Sequence, residues 1–271
     1  MAQHSLQIAV FGVSGRMGRA LLTAIDETPG SALAGATASA TSRWLGKDAG
    51  EAAGGALRNV PIEADPAAAL RNAQVAIDFT LPEATAANVA ACVAAKCPLV
   101  IGTTGHTEAV RAQIAAAGER IPIVMAPNMS LGVNLLLKLV ELAAAKLDPD
   151  YDIEVFEAHH RHKKDAPSGT ALALGAAAAK GRNVKLSDVA QYSRHGNTGA
   201  RERGTIGFSV FRGGDVVGDH TVTFAGIGER IELTHRASDR LAFARGAVRA
   251  AHWLSSQAPG LYSMQDVLGL S

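Results

Sequence analysis

The amino-acid sequence predicts an α/β protein of two domains, a doubly wound parallel sheet followed by a mainly antiparallel one. Three observations carry this. The first half alternates short β-branched runs with longer Ala/Leu-rich segments of helical character, the pattern of βαβ units. The first of those runs ends in a glycine-punctuated turn that opens a helix. From Gly204 onward, strand-like runs follow one another without intervening helices, which predicts antiparallel pairing and a separate sheet.

In order, Leu6 to Phe11 reads as a buried strand, Gly12 to Gly18 as the turn, and Arg19 to Glu27 as a helix stopped near Pro29 and Gly30. Further strands are expected at Ser31 to Thr37, Val75 to Phe79, Leu99 to Ile101 and Ile121 to Met125. The clearest helices between them are Asp65 to Asn72, with Asp65 as cap and Pro66 at the first helical position, and Pro82 to Ala95. Near Ser130 the texture changes. Leu131 to Leu147 is a long apolar helix, and Tyr151 to Ala158 is a strand leading into the densest cationic stretch. GTIGFSVF, TVTFAG and RIELTHRA then read as strands, with Gly213, Gly214 and Asp215 as hairpin material. Leu241 to Ser255 returns to an amphipathic helix.

The chain has 271 residues, 48% hydrophobic and only 4% aromatic, with 26 Lys and Arg against 25 Asp and Glu. A net charge of +1 argues against coating of nucleic acid or anionic membrane, which needs a broad excess of basic charge. Cys92 and Cys97 are the only cysteines, so a disulfide scaffold is excluded and a reducing compartment is expected. MAQHSLQIAV lacks a basic segment followed by an apolar core, and no run approaches a membrane span; a cytoplasmic location is expected.

Strand, then Gly12-Val13-Ser14-Gly15-Arg16-Met17-Gly18, then helix is a phosphate-cradling arrangement. The glycines let backbone approach a pyrophosphate, and the helix N-terminus offers unpaired N–H groups and a positive dipole end. Its place as the first βα turn of an alternating chain makes the sheet Rossmann-like. The competing reading is a plain tight turn. Dinucleotide sites carry an acid about 20 residues on, for the ribose hydroxyls. Here that region reads Ala38-Ser39-Ala40-Thr41-Ser42-Arg43, without an acid, so NADPH is expected to serve at least as well as NADH. Gly102-Thr103-Thr104-Gly105 and Ala126-Pro127-Asn128-Met129-Ser130 follow later strands, where ligands of such sheets collect; capping by Thr107 and Ser130 is compatible with this.

Between His159 and Lys164, six cationic or potentially cationic side chains occupy six positions, and Ser168-Gly169-Thr170 then opens a helix. Basic groups beside a helix N-terminus can hold a small dicarboxylate, and their mutual repulsion can lower histidine and lysine pKa values. A surface or capping role competes for any single histidine. A metal is disfavoured, because HHRH lacks helical ligand spacing and its lysines repel a cation. Nucleic acid needs a broader face with stacking aromatics, and only Phe156 is near. His4, His106, His195, His220, His235 and His252 are scattered and receive no role.

The passage ExxEAHHRHKxDAPSGTA, with GVSGRMGR, AIDFT, GTTG, APN and GTIGF, resembles the dihydrodipicolinate reductase family over essentially the whole chain. The resemblance implies a Rossmann-like doubly wound parallel sheet with an inserted α+β substrate and tetramerisation domain. The nucleotide domain would comprise residues 1–130 and 241–271, the inserted domain 131–240. It implies reduction of 4-hydroxy-tetrahydrodipicolinate to tetrahydrodipicolinate by NADPH or NADH, on the diaminopimelate and lysine pathway, by a homotetramer. Carried onto this chain, His159 and Lys163 are the acid/base pair, with Lys163 the favoured proton donor. His160, Ser168, Gly169 and Thr170 would bind substrate carboxylates. Gly12, Val13, Ser14, Gly15, Arg16, Met17, Gly102, Thr103, Thr104, Ala126, Pro127, Asn128 and Met129 would contact the cofactor. Ala38 and Ser39 depart from the acid and arginine that many relatives carry, which weakens the inference of cofactor preference. A silent NAD(P)-sensing protein and a dehydrogenase of another small acid are the alternatives; the former has no reason to keep His159, Lys163 and the SGT helix start together.

Overall fold

The computed structural model describes residues 5–270; His4 lies outside the described residues. The chain divides into one unit of Met1–Leu131 with Arg240–Ser271 and a second of Gly132–Asp239.

The first unit begins β1 (Leu6–Phe11), α1 (Arg16–Glu27), β2 (Ser31–Thr37), α2 (Ala49–Ala53), β3 (Ile62–Glu63), α3 (Pro66–Ala69), β4 (Val75–Asp78), α4 (Pro82–Ala95), β5 (Leu99–Ile101), α5 (Glu108–Gly118) and β6 (Pro122–Met125). The second unit follows as α6 (Leu131–Lys146), β7 (Asp152–His159), α7 (Gly169–Gly181), α8 (Leu186–Val189), β8 (Ala190–Gln191), β9 (Ile206–Arg212), β10 (Gly218–Ala225) and β11 (Arg230–Ala237). The chain then returns to the first unit with α9 (Leu241–Leu254), β12 (Gly260–Tyr262) and α10 (Met264–Leu268).

The first sheet runs β12-β6-β5-β4-β1-β2-β3 with all neighbouring strands parallel, as the β-branched, doubly buried runs require. Strand order reverses between β1 and β4, so the loops after these two strands flank the switch point where ligands of such sheets bind. Ala244, Ala247, Val248 and Ala251 of α9 join Leu21, Leu22 and Ile25 of α1 in one core; small residues let the two helices approach closely.

Helix α1 starts three residues earlier than the sequence suggests, because the turn is completed within Gly12 to Gly15. Gly12 takes φ +80° and Gly15 caps the helix. Gly18 therefore lies inside α1, and a Cβ there would meet the carbonyl oxygens of Gly12 and Val13 at 2.4 Å. The helix expected at Asp65 to Asn72 is only the short α3, and β12 and α10 are additions that local pattern did not reveal.

The second sheet runs β11-β10-β7-β9-β8 and is mixed: the long β10 ladders are antiparallel, as expected, but two further strand pairs are parallel. β10 pairs antiparallel with β11 and β7, whereas β7 and β8 pair parallel with β9. The expected β9–β10 hairpin does not form, since β7 lies between those strands. Gly213, Gly214 and Asp215 still turn the chain, but over the end of β7: Gly213 N–H donates to His159 O and Arg161 N–H to Gly214 O. The physical reason is that Ile153, Val155 and Glu157 of β7 are buried and need cover on both sides. Ile153, Val155, Phe208, Val222 and Phe224 pack against Val140, Leu174 and Ala178 of α6 and α7.

Candidate functional sites of the two units

In the first unit a cavity of about 440 Å³ opens at the switch point. Its walls are Gly12, Ser14 and Gly15 of the glycine turn, Thr37 to Ala40 after β2, and Phe79 to Leu81 after β4. A Cβ on Gly12 would lie 3.1 Å from Thr80 Cγ2 and 3.3 Å from Phe79 O, so glycine sets the narrow passage between the two loops. Gly15 caps α1 without a side-chain hydrogen bond, and the first turn carries no acid, which leaves the positive helix end to a ligand anion. These features fit a dinucleotide. Val13, Ala126 and Met129 are core side chains, so only their backbones can meet a ligand, while Gly15, Arg16, Thr104 and Pro127 are exposed. Ser39 lines the cavity, and the Arg43 guanidinium stacks 4.9 Å from the Trp44 ring.

Sequence reasoning missed the group that holds this wall. Asp78 ends β4 fully buried and accepts hydrogen bonds from Thr80 N–H (2.8 Å), Thr80 Oγ1 (2.6 Å), Thr103 Oγ1 (3.1 Å) and Asn88 Nδ2 (3.2 Å). One carboxyl group thus ties the β4 loop to α4 and to the Gly102–Gly105 loop. An acid closing the apolar run Val-Ala-Ile was the available signal.

In the second unit β7 delivers His159 at its end, the loop 160–168 follows, and α7 begins at Gly169. Glu157, 1% exposed, joins these parts. Its Oε2 lies 2.5 Å from His159 Nδ1, its Oε1 accepts from Ser168 N–H at 2.9 Å, and Arg212 donates to both oxygens at 2.7 Å. Ser168 Oγ accepts from Ala171 N–H as the cap of α7 and contacts His220 Nε2 at 3.2 Å. Both polar groups of Ser168 are therefore engaged in building the helix start. Gly169 is exposed, with nothing within 4 Å of where a Cβ would sit. Lys163 pairs with Asp165 at 2.9 Å, and the His160 and His162 rings lie 6.2 Å apart.

The cationic stretch is therefore partly compensated, by Glu157 and Asp165, rather than a pool of like charge. Burial pushes the His159 imidazole below its ordinary value, Glu157 opposes this, and Lys163 and Arg212 add to it in smaller measure. Burial would raise the Glu157 carboxyl, but the bonds from Arg212, His159 and Ser168 outweigh it and hold it below the usual range. His220, left without a role by the sequence, packs edge-on against His159 at 5.1 Å between centroids; burial, with His159 nearby, takes it down to about 4. Arg212 and His220 lie on β9 and β10, far along the chain, and only the sheet brings them to His159.

Two family models match the chain, dihydrodipicolinate reductase N-terminus over residues 6–129 and dihydrodipicolinate reductase C-terminus over residues 132–268. A 4-hydroxy-tetrahydrodipicolinate reductase of Thiobacillus denitrificans is 58% identical over 266 residues, covering 98% of this chain and 99% of the relative. That of Alkalilimnicola ehrlichii is 55% identical over 97% of this chain and 99% of its own. The dipicolinate-bound dihydrodipicolinate reductase from Paenisporosarcina sp. TG-14 shares the fold, with TM-score 0.77 at 24% identity over 97% of this chain and 98% of that one. With both family models matched and relatives this similar along its length, the chain belongs to the dihydrodipicolinate reductase family.

Proposed function

We propose that this protein converts 4-hydroxy-tetrahydrodipicolinate to tetrahydrodipicolinate as an oxidoreductase of diaminopimelate and lysine biosynthesis: the 4-hydroxyl leaves as water, and the unsaturated ring that results takes a hydride from NADPH or NADH and a proton. The observation that carries the site assignment is the Glu157 carboxylate, which ties the His159 ring and the open start of α7 into one assembly.

The dinucleotide supplies hydride when bound. Gly12, Ser14, Gly15 and Arg16 would hold its pyrophosphate, and Val13, Met17, Gly102 to Thr104 and Ala126 to Met129 the remaining contacts, those of the core residues through backbone. In the second unit Gly169 and Thr170 would take a substrate carboxylate at the helix N-terminus, with His160 beside them. Ser168 would act through the helix start it caps. Lys163, its side chain partly exposed on the loop before α7, is the proton donor to the ring, and His159 holds or returns a proton at Nε2. A ligand with two carboxylates is met by two groupings, the helix start and the basic loop.

A homotetramer in the cytoplasm is part of the same reading. Phe156 and Phe211 are exposed on the face of the second sheet turned away from α6 and α7, suitable for burial between copies. Among the described residues no helix is long and apolar enough to cross a membrane.

The test is loss of 340 nm absorbance when the purified protein and NADPH meet the aldol product of pyruvate and aspartate semialdehyde. Absence of turnover with that substrate, but turnover with another small acid, would return the function to the alternative dehydrogenases.

A further inference from the structure

We infer that Glu157 is a positioning residue that fixes His159 as the Nδ1–H tautomer with Nε2 as its reactive atom, and that Gly218 keeps the space before Nε2 open. This rests on the reading of His159 as a proton-handling group and names the device that prepares it.

The carboxylate accepts four hydrogen bonds, two on each oxygen: His159 Nδ1 and Arg212 on Oε2, Ser168 N–H and Arg212 on Oε1. An ionised carboxylate only accepts, so the proton between Glu157 and His159 belongs to Nδ1. In the neutral ring the lone pair then lies on Nε2, and the second proton enters and leaves there. Arg212 and Ser168 N–H leave Glu157 no freedom to swing, so the ring orientation is set by β7, β9 and the α7 start together.

At the other edge of the ring β10 begins with Gly218. A Cβ at this position would lie 3.1 Å from His159 Nε2 and 3.4 Å from Cδ2. Its backbone is not in the left-handed region, so alanine meets no conformational barrier. Glycine here serves access to Nε2 rather than a turn.

The groups facing His159 are Glu157 on β7, Lys163 on the loop, Arg212 on β9 and His220 on β10, with Asp165 behind Lys163 and Arg212 and His235 behind His220. Of the four that face it, only Glu157 favours the imidazolium. Removing its charge therefore moves the protonation of His159 to lower pH.

The experiment uses the full-length protein with ¹⁵N-labelled histidine, the His159 signals being assigned by His159→Gln. The wild type above the His159 titration is expected to show a protonated Nδ1 and an unprotonated Nε2. Glu157→Gln is expected to yield mixed tautomers, a kcat lower by at least about tenfold, a pH–rate limb moved to lower pH, and unchanged NADPH affinity. Glu157→Asp should recover part of the rate. Gly218→Ala should lower kcat with NADPH affinity retained. An Nε2–H tautomer in the wild type, or wild-type turnover in Gly218→Ala, overturns the corresponding half of the inference, and neither result depends on Glu157→Gln folding. If His159→Gln itself has wild-type kcat, the catalytic reading of His159 fails, while the tautomer still decides whether Glu157 positions the ring.

Discussion

Replacing Asp78 by alanine should weaken the nucleotide-binding unit and its grip on NADPH together. Four donors lose their acceptor in a site with no solvent exposure. A typical hydrogen bond contributes about 1 kcal/mol net. Thr103 Oγ1 and Asn88 Nδ2 keep weaker partners, Asp78 O at 3.4 Å and Thr80 Oγ1 at 3.3 Å, so the loss is nearer two to four bonds' worth, about 2–4 kcal/mol. Asp78→Asn retains the oxygen that serves Thr80 and Thr103 and turns an amino group toward Asn88, so about 1 kcal/mol is expected. The measurement is urea unfolding followed by tryptophan fluorescence. Trp44 and Trp253 are the only tryptophans and both lie in the first unit, so the signal reports that unit alone. NADPH affinity of Asp78→Ala should fall by about tenfold, since the freed Thr80 turn forms a wall of the cavity. A loss below about 1 kcal/mol in Asp78→Ala, with unchanged affinity, would refute the reasoning.

Lys163→Ala is expected to lower kcat by roughly two orders of magnitude or more while leaving NADPH affinity nearly intact; an unchanged kcat removes Lys163 from the mechanism. With no acid at Ala38 to Arg43, the ratio of kcat/KM for NADPH to that for NADH should be near one or above, and a strong NADH preference would contradict it. His220 is held neutral in the fold, with a pKa of about 4 against the ordinary 6.5. The unfolded chain therefore binds the extra proton between these values, and stability is complete above pH 6.5 and falls as pH drops toward 4. Between pH 6.5 and 5 the second unit should lose about 2 kcal/mol, a slope that far-UV circular dichroism should find flattened in His220→Phe.

The parallel half of the fold was legible because its strands are short apolar runs separated by helices, and a strand buried on both faces has no other way to read. β12 was not, since three residues after Pro259 acquire strand character only by pairing with Pro122 to Val124. The second sheet misled for a related reason. Chain order suggests that β9 folds back on β10, but β7, laid down earlier, is apolar enough to occupy the place between them. Within the candidate site, His159, His160, Lys163 and Ser168 stand close in sequence, so their clustering marked the passage and the family resemblance suggested their roles. Glu157 was in the same passage, two residues before His159 and hence on the same strand face, yet its meaning depends on Arg212, 55 residues away. His220 comes in across the sheet from β10. Partners of this kind leave no local pattern, which is why the sequence pointed to the candidate reactive groups and not to the residues that hold them.

The central claim is that hydride passes from a nicotinamide to a dicarboxylate ring on this protein, and isotope transfer tests it most directly. With [4,4-²H₂]NADPH and the aldol product of pyruvate and aspartate semialdehyde, mass spectrometry should find tetrahydrodipicolinate carrying one deuterium per NADPH consumed. A product formed without deuterium, or no product at all while NADPH binds normally, would contradict the account.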